Sequence, residues 1–272
     1  MKLTPPLKIT VAGARNSSRI SSIAQGLIDA DGTNTLRIFR DFADNGCATT
    51  NIDCAKVLDF DDSGAIISGR EIDIHRAGGD RKAGLHNFKT RQGDWYIRRE
   101  KFESLWEDGD RIIYFALNCG GPGTEAYGPI CLRITKGSLD TNPSAVFPSD
   151  SLQRYTNDLN EIDTDRIMGE IGCSSSKGNV ALIEYQTHSS ILDQERWSGI
   201  VCSDERYLEI TVIGPLSLDN IVELRIRSEY AEEIDKLIDK EIAGEKIEPY
   251  ERTQVLAISA LRAWTNVEIT VL

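Results

Sequence analysis

A single carboxylate inside an apolar strand constrains this chain more than any other feature. Residues 207–213 read Tyr-Leu-Glu-Ile-Thr-Val-Ile and run into Gly214-Pro215, and a second apolar strand follows at 221–226. Burying a bare carboxylate costs several kcal/mol or forces it to hold a proton. Glu209 must therefore be solvated, paired or functional. Strand alternation puts Tyr207, Glu209 and Thr211 on one face. That face is either a wall for a polar ligand or the polar side of an edge strand that meets water.

Residues 7–12 (LKITVA) read as a buried strand, then a polar turn over 13–18, then a helix with Ile20, Ile23, Ala24 and Leu27 on one face. Strand, glycine turn and helix is a phosphate-binding context. The turn nevertheless lacks the Lys-Ser/Thr of a P-loop and the glycine spacing of a dinucleotide fingerprint. Short strands are expected at 36–40, 57–60, 65–67 and 72–75, a basic loop over 76–94 and a helix over 98–107. Residues 111–117 (RIIYFAL) and 127–134 (YGPICLRI) read as strands joined by a Gly/Pro-rich loop. A polar stretch, 135–178, holds one short helix near 149–155, and 179–186 (NVALIEYQ) reads as a further strand. Helices at 228–242 and 249–265 and a last strand at 267–272 close the chain. The pattern predicts an α+β fold, with mixed or antiparallel sheets of short strands and helices concentrated at the C-terminus. One domain is expected over 1–272, with an N-terminal part (1–68), a core (69–227) and a C-terminal part (228–272).

Net charge is −12, so bulk electrostatics repel nucleic acid and anionic membranes. Arg76, Arg81, Lys82, Lys89, Arg91, Arg98, Arg99 and Lys101 make the middle of the chain locally basic, either to meet an anionic ligand or as a solvated face. The start of the chain lacks an apolar leader, and no apolar run approaches the roughly 18–20 residues that span a bilayer. The six cysteines are scattered, without CxxC or zinc spacing. A cytoplasmic protein with reduced thiols and no metal site is the expectation, Cys119 and Cys131 serving as small hydrophobes.

Three further groups are candidates for chemistry. Glu184, Gln186 and His188 alternate along the expected strand 179–186 and just beyond it, as a ligand or proton-transfer face or as a strand end reaching solvent. His75 precedes Gly78-Gly79, where the backbone can approach a ligand closely, or is an incidental strand-end histidine. Tyr114 and Tyr127 flank the Gly/Pro-rich loop, positioned to stack on a planar ring or to pack as ordinary aromatics.

The run from Glu209 through Gly214-Pro215 into strand 221–226 resembles the C-terminal catalytic element of ADP-ribosyltransferase-like proteins. Residues 111–118 followed by Tyr127-Gly128 resemble the strand-plus-tyrosine region that holds nicotinamide in the branch built on His, Tyr and Glu, and His75 would match its first-strand histidine. Asp80-Arg81 and Asp150-Ser151 follow the order of a similar bacterial family. The resemblance spans residues 70–230. It departs from the pattern in that no Gly-Ser/Thr follows the histidine and no Ser-Thr-Ser strand is present; an arginine of the alternative branch could be sought at Arg40. It implies an NAD-dependent transferase acting on a macromolecule, protein or nucleic acid, in the setting of a bacterial toxin or effector. Glu209 would be the catalytic acid, with Glu184 as its rival, and His75, Tyr114 and Tyr127 would line the NAD pocket. The alternative is a non-catalytic acidic module with a binding, immunity or regulatory role. A third reading is nucleotide binding at 13–18.

Overall fold

The computed structural model describes residues 6–264 and 267–272. Residues 1–5, where the sequence reading expects no apolar leader, and the helix end read at Thr265 lie outside the described residues. The chain opens with helices α1 (Ile9–Ala30) and α2 (Thr35–Asp44), then strand β1 (Cys47–Ile52), α3 (Cys54–Ser63) and the two-residue β2 (Ala65–Ile66). Three helices follow, α4 (Gly69–Arg76), α5 (Arg81–Gln92) and α6 (Trp95–Glu103). The middle of the chain holds β3 (Ile112–Asn118), β4 (Ile130–Ile134), α7 (Lys136–Thr141), β5 (Ser144–Phe147), α8 (Ser151–Arg154), α9 (Thr164–Glu170), α10 (Lys177–Tyr185) and α11 (Trp197–Val201). The last part comprises β6 (Glu209–Ile213), β7 (Leu216–Ser217), β8 (Ile221–Ile226), α12 (Ser228–Ile242), α13 (Pro249–Ala263) and β9 (Glu268–Val271).

Seven strands form one sheet in the order β5-β6-β3-β1-β4-β8-β9, and β2 pairs with β7 in a small ribbon. Every neighbour in the large sheet is antiparallel except β8–β9. The fold is thus α+β around a mixed sheet, as expected, and strands β3, β4, β6, β8 and β9 fall where the apolar runs placed them.

The N-terminal third departs from expectation, for one physical reason. A short apolar run fits a helix turn as well as a strand. Residues 7–12 are no strand: α1 buries Ile9, Ala12, Gly13, Ile20, Ala24 and Ile28 along one helical face. Gly13 is therefore not in a turn. It lets α1 approach Gly172, where a Cβ would stand 2.8 Å from the carbonyl oxygen. The amides of 13–18 are committed to the helix, which removes the phosphate-binding turn. The runs at 36–40, 57–60, 72–75 and 179–186 are likewise helical, in α2, α3, α4 and α10, and 76–94 contains α5 rather than a loop. Helix caps decide these segments: Asp53 and Asp80 accept first-turn amides, and Ser68 and Glu71 form a capping box. Helices are consequently not concentrated at the C-terminus; six precede β3.

The sheet is apolar on one face. Ala48, Phe115, Leu117, Leu132, Ile210 and Leu224 join the main core with residues from α1, α2, α10 and α13. The other face, which carries Glu209, is covered only at the β5–β6–β3 end by a second cluster around Phe102, Phe147, Tyr155 and Ile167. Beyond it the same face is polar, with Thr49 in register with Arg133 and Arg133 with Glu223.

Helices α4 and α5 pack so closely that a Cβ on Gly84 would lie 2.4 Å from the Ile74 Cα. Gly84→Ala is expected to lower the urea midpoint, by about 1–3 kcal/mol of overpacking. Gly26→Ala in α1, where a Cβ meets nothing within 4 Å, should instead raise it by about 0.5–1 kcal/mol.

Candidate active site

Strands β1 and β3 pair through only three residues, Cys47–Asn118, Ala48–Leu117 and Thr49–Ala116. Beyond them β1 follows β4 to Ile52, while β3 follows β6 back to Ile112. Consecutive residues of both strands, 49–52 and 112–116, line a single cleft of about 310 Å³. In a continuous sheet only alternate residues face one side. The cleft therefore enters the sheet itself, at the fork where the two strands part. Its volume is at the lower end of the roughly 300–1,000 Å³ typical of small-molecule sites. Helices α3 to α6 roof it with Lys56, Phe60, Ile72, Arg91, Gln92 and Arg99, and Tyr127, Asp150, Tyr207 and Glu209 complete the wall.

Glu209 begins β6, opposite Ala116 of β3 and Phe147 of β5. Its strand is interior, not an edge, and the residue is only 3% exposed. One carboxyl oxygen accepts the Ser151 amide at 3.4 Å; the other is buried without a partner. Burial, followed by the nearby Asp150 charge, holds this carboxyl well above the usual carboxylate range. An unanswered buried polar oxygen costs about 1–3 kcal/mol, and a ligand hydroxyl, donor and acceptor at once, would answer it.

Three tyrosines surround this acid. The Tyr207 hydroxyl donates to Asp150 Oδ2 at 2.9 Å and lies 3.3 Å from the Tyr127 hydroxyl. Asp150 is held in place because its other oxygen accepts the Gln153 amide at the start of α8. Tyr114 donates to Glu103 at 3.3 Å, and the Arg99 guanidinium stacks 4.6 Å above its ring. Burial raises the hydroxyl pKa of all three, so they remain neutral donors. Tyr127 is 52% exposed, at the mouth.

The roof supplies positive charge. Arg91 is bound to Asp73 at 2.7 Å, whereas Arg99 only approaches Glu103 at 3.9 Å and leaves its Nε without a partner. Lys56 forms no ion pair among the described residues. Burial pushes its pKa down, the nearby Asp53 charge opposes that shift, and the Arg91, Arg99 and Arg76 charges add to it. An ammonium without a direct ion pair beside guanidinium groups is a receptor for an anion. The cleft thus combines an acid wall with a cationic roof.

Glu209, Tyr114 and Tyr127 therefore meet at one site, but two other candidates do not. His75 lies on α4, not at a strand end, and its Nε2 is 2.6 Å from Asp62 Oδ2, away from the cleft lining. Glu184 lies on α10, held by Arg154 at 3.1 Å through both oxygens. Because 179–186 is helical, Glu184, Gln186 and His188 share no strand face. Arg40 pairs with Asp41, and Asp80 caps α5. The Cys119 and Cys131 thiols are pushed up by burial to about 12 and about 11, consistent with packing residues, and all six cysteines are free.

Sequence reasoning missed the specific cleft roles of Lys56, Arg91 and Arg99, and also Asn51. The Asn51 amide donates to Pro122 and Gly128 carbonyls and accepts the Thr124 amide, fastening the loop after β3 to β1. The polar run Thr49-Thr50-Asn51 was the available signal. No described helix is long and apolar enough to cross a membrane. No protein-family model matches the chain, and no curated protein matches it.

Glu209 also sets a stability signature. Below the unfolded carboxyl pKa of about 4.3 both states hold the proton. As pH rises above that value the unfolded chain ionises more readily than the folded one, so folding loses stability. Glu209→Gln should therefore match wild type in Tm near pH 4 and exceed it at pH 8, by about 2–4 °C for each kcal/mol relieved. Calorimetry at both pH values checks this; a Tm difference that does not change with pH contradicts it.

Proposed function

We propose that the chain transfers ADP-ribose from NAD to a macromolecule, with the forked cleft as its active site. The observation that carries this reading is the orphaned oxygen of buried Glu209, set among three tyrosines and under a roof that carries Lys56, Arg91 and Arg99. NAD offers what each group lacks: ribose hydroxyls for Glu209, a planar ring for Tyr127 and Tyr207, and a pyrophosphate for Lys56 and Arg99. Arg91, already held by Asp73, contributes field more than a direct bond.

In the reaction the glycosidic carbon–nitrogen bond breaks and nicotinamide leaves neutral, taking the electron pair. The acceptor oxygen or nitrogen bonds to the ribose carbon and gives its proton to solvent or to Glu209. Positive charge grows on the ribose in the transition state, and an ionised Glu209 in a water-poor site stabilises it. The positive nicotinamide ring of NAD favours that ionised form on binding, offsetting the burial that otherwise keeps the proton in place. Tyr114, tied to Glu103 and covered by Arg99, positions the wall beneath the ring. The resemblance to ADP-ribosyltransferases and the setting of a bacterial toxin or effector belong to the same proposal. Convergence of Glu209, Tyr114 and Tyr127 on one cleft favours catalysis over a non-catalytic acidic binding module.

Nicotinamide release from NAD, with and without cell lysate as acceptor, tests the proposal. Glu209→Gln should lower turnover about 10²–10³-fold, as loss of a transition-state charge partner does. His75→Ala and Glu184→Gln should remain within about twofold, since surface changes away from a site are near neutral. Undiminished turnover in Glu209→Gln would remove its role, and no NAD binding or cleavage under any condition would remove the function.

A further inference from the structure

The roof of the cleft continues outward as a surface unlike the rest of the molecule. Residues 81–101, on α5 and α6, carry seven Lys/Arg against two acids, in a chain of net charge −12. Three of those cations are engaged, Arg81 with Asp110, Arg91 with Asp73 and Arg99 with Glu103. Lys82, Lys89, Arg98 and Lys101 form no ion pair among the described residues. Arg98 and Lys101 bond only to the neutral Asn160, through its side-chain and backbone oxygens. Their charge is uncompensated, and an anionic partner would compensate it.

Aromatic rings accompany the charges. Trp95 is 45% exposed, with the Arg98 guanidinium 5.0 Å above its ring, and Lys89 sits 5.4 Å over Tyr96. Free cations around the exposed Trp95 ring, beside the half-buried Tyr96, suit a nucleic-acid strand whose bases are unstacked. A duplex buries its base faces and cannot use Trp95, and it is too broad for the cleft. The surface is continuous with the site, because Arg91, Gln92 and Arg99 on the same helices line the cleft.

We infer that the macromolecule modified is a single-stranded nucleic acid, held on α5 and α6 by phosphate contacts and stacking on Trp95, which presents one nucleotide to the fork. This inference rests on the transferase reading of the cleft and names its acceptor. Bulk charge opposes such binding, so affinity must come from the local field of this surface.

Fluorescence anisotropy of a labelled mixed-sequence 20-mer, without NAD, provides the test, with the same strand as a duplex and polyglutamate as comparisons. Four phosphates neutralised imply an affinity loss of about 50-fold between about 50 mM and about 200 mM salt. Trp95→Ala should weaken binding about tenfold, as loss of one stacked base does. The Lys82→Glu/Lys89→Glu pair should weaken it at least as much, and both variants should retain wild-type Tm and wild-type NAD cleavage. No binding, equal or tighter binding of the duplex or of polyglutamate, or binding indifferent to both variants overturns the inference. Strand binding in a protein that cleaves no NAD overturns the cleft reading instead, which separates the two failures.

Discussion

A carboxyl group with one unanswered oxygen can sit in the middle of a sheet only if its surroundings cannot collapse onto it or flood it. Glu209 meets both conditions. Strands on either side fix its backbone, and β5 presents Phe147 directly opposite. The Ser151 amide holds one carboxyl oxygen while the other is buried without a partner, on a residue that lines the cleft. Removing a ladder neighbour, or letting β1 close against β3, would close the cleft. The stability lost to that unanswered bonding capacity is what a site kept ready for a ligand, as proposed above, would carry.

The fork is held open by packing on both sides of the sheet. On the apolar face, α1, α2, α10 and α13 press a continuous core against the strands. On the other face a smaller cluster under α6, α8 and α9 supports only the β5–β6–β3 half. The β1–β4 half is fastened differently, by Asn51 gripping the loop after β3. Gly123 and Gly128 allow that grip, since both have positive φ and a Cβ on either would collide with residues of β1. Two half-sheets that share the apolar core, are fastened differently on the other face and are joined by three residue pairs leave room between them for a cleft.

Legibility followed the turn signals that bound the apolar runs more than their length. β3, β6 and β8 are bounded by glycine, proline or charged turns and are too long and β-branched to be read otherwise, so Glu209 and Tyr114 were placed on correct elements. Tyr127 fell just before β4 and still reached the cleft mouth. His75 and Glu184 failed because their segments were read with a period of two, and a helix sends those side chains elsewhere. Arg91 and Arg99 belong to the basic stretch, but Lys56 and Arg91 sit on helices that read as strand or loop in the sequence, so their convergence with Arg99, on a helix read as one, was invisible. The caps at Asp53, Ser68 and Asp80 were in the sequence and would have corrected three of those elements.

The central claim is that the fork between β1 and β3 is where the molecule meets its ligand. Hydrogen exchange read by mass spectrometry, with and without saturating NAD, addresses it most directly. The account predicts slowed exchange in residues 49–52, 112–116 and 207–211 and along α5–α6, with α10 and the His75 end of α4 unchanged. Protection centred on α10, or none anywhere, would contradict it.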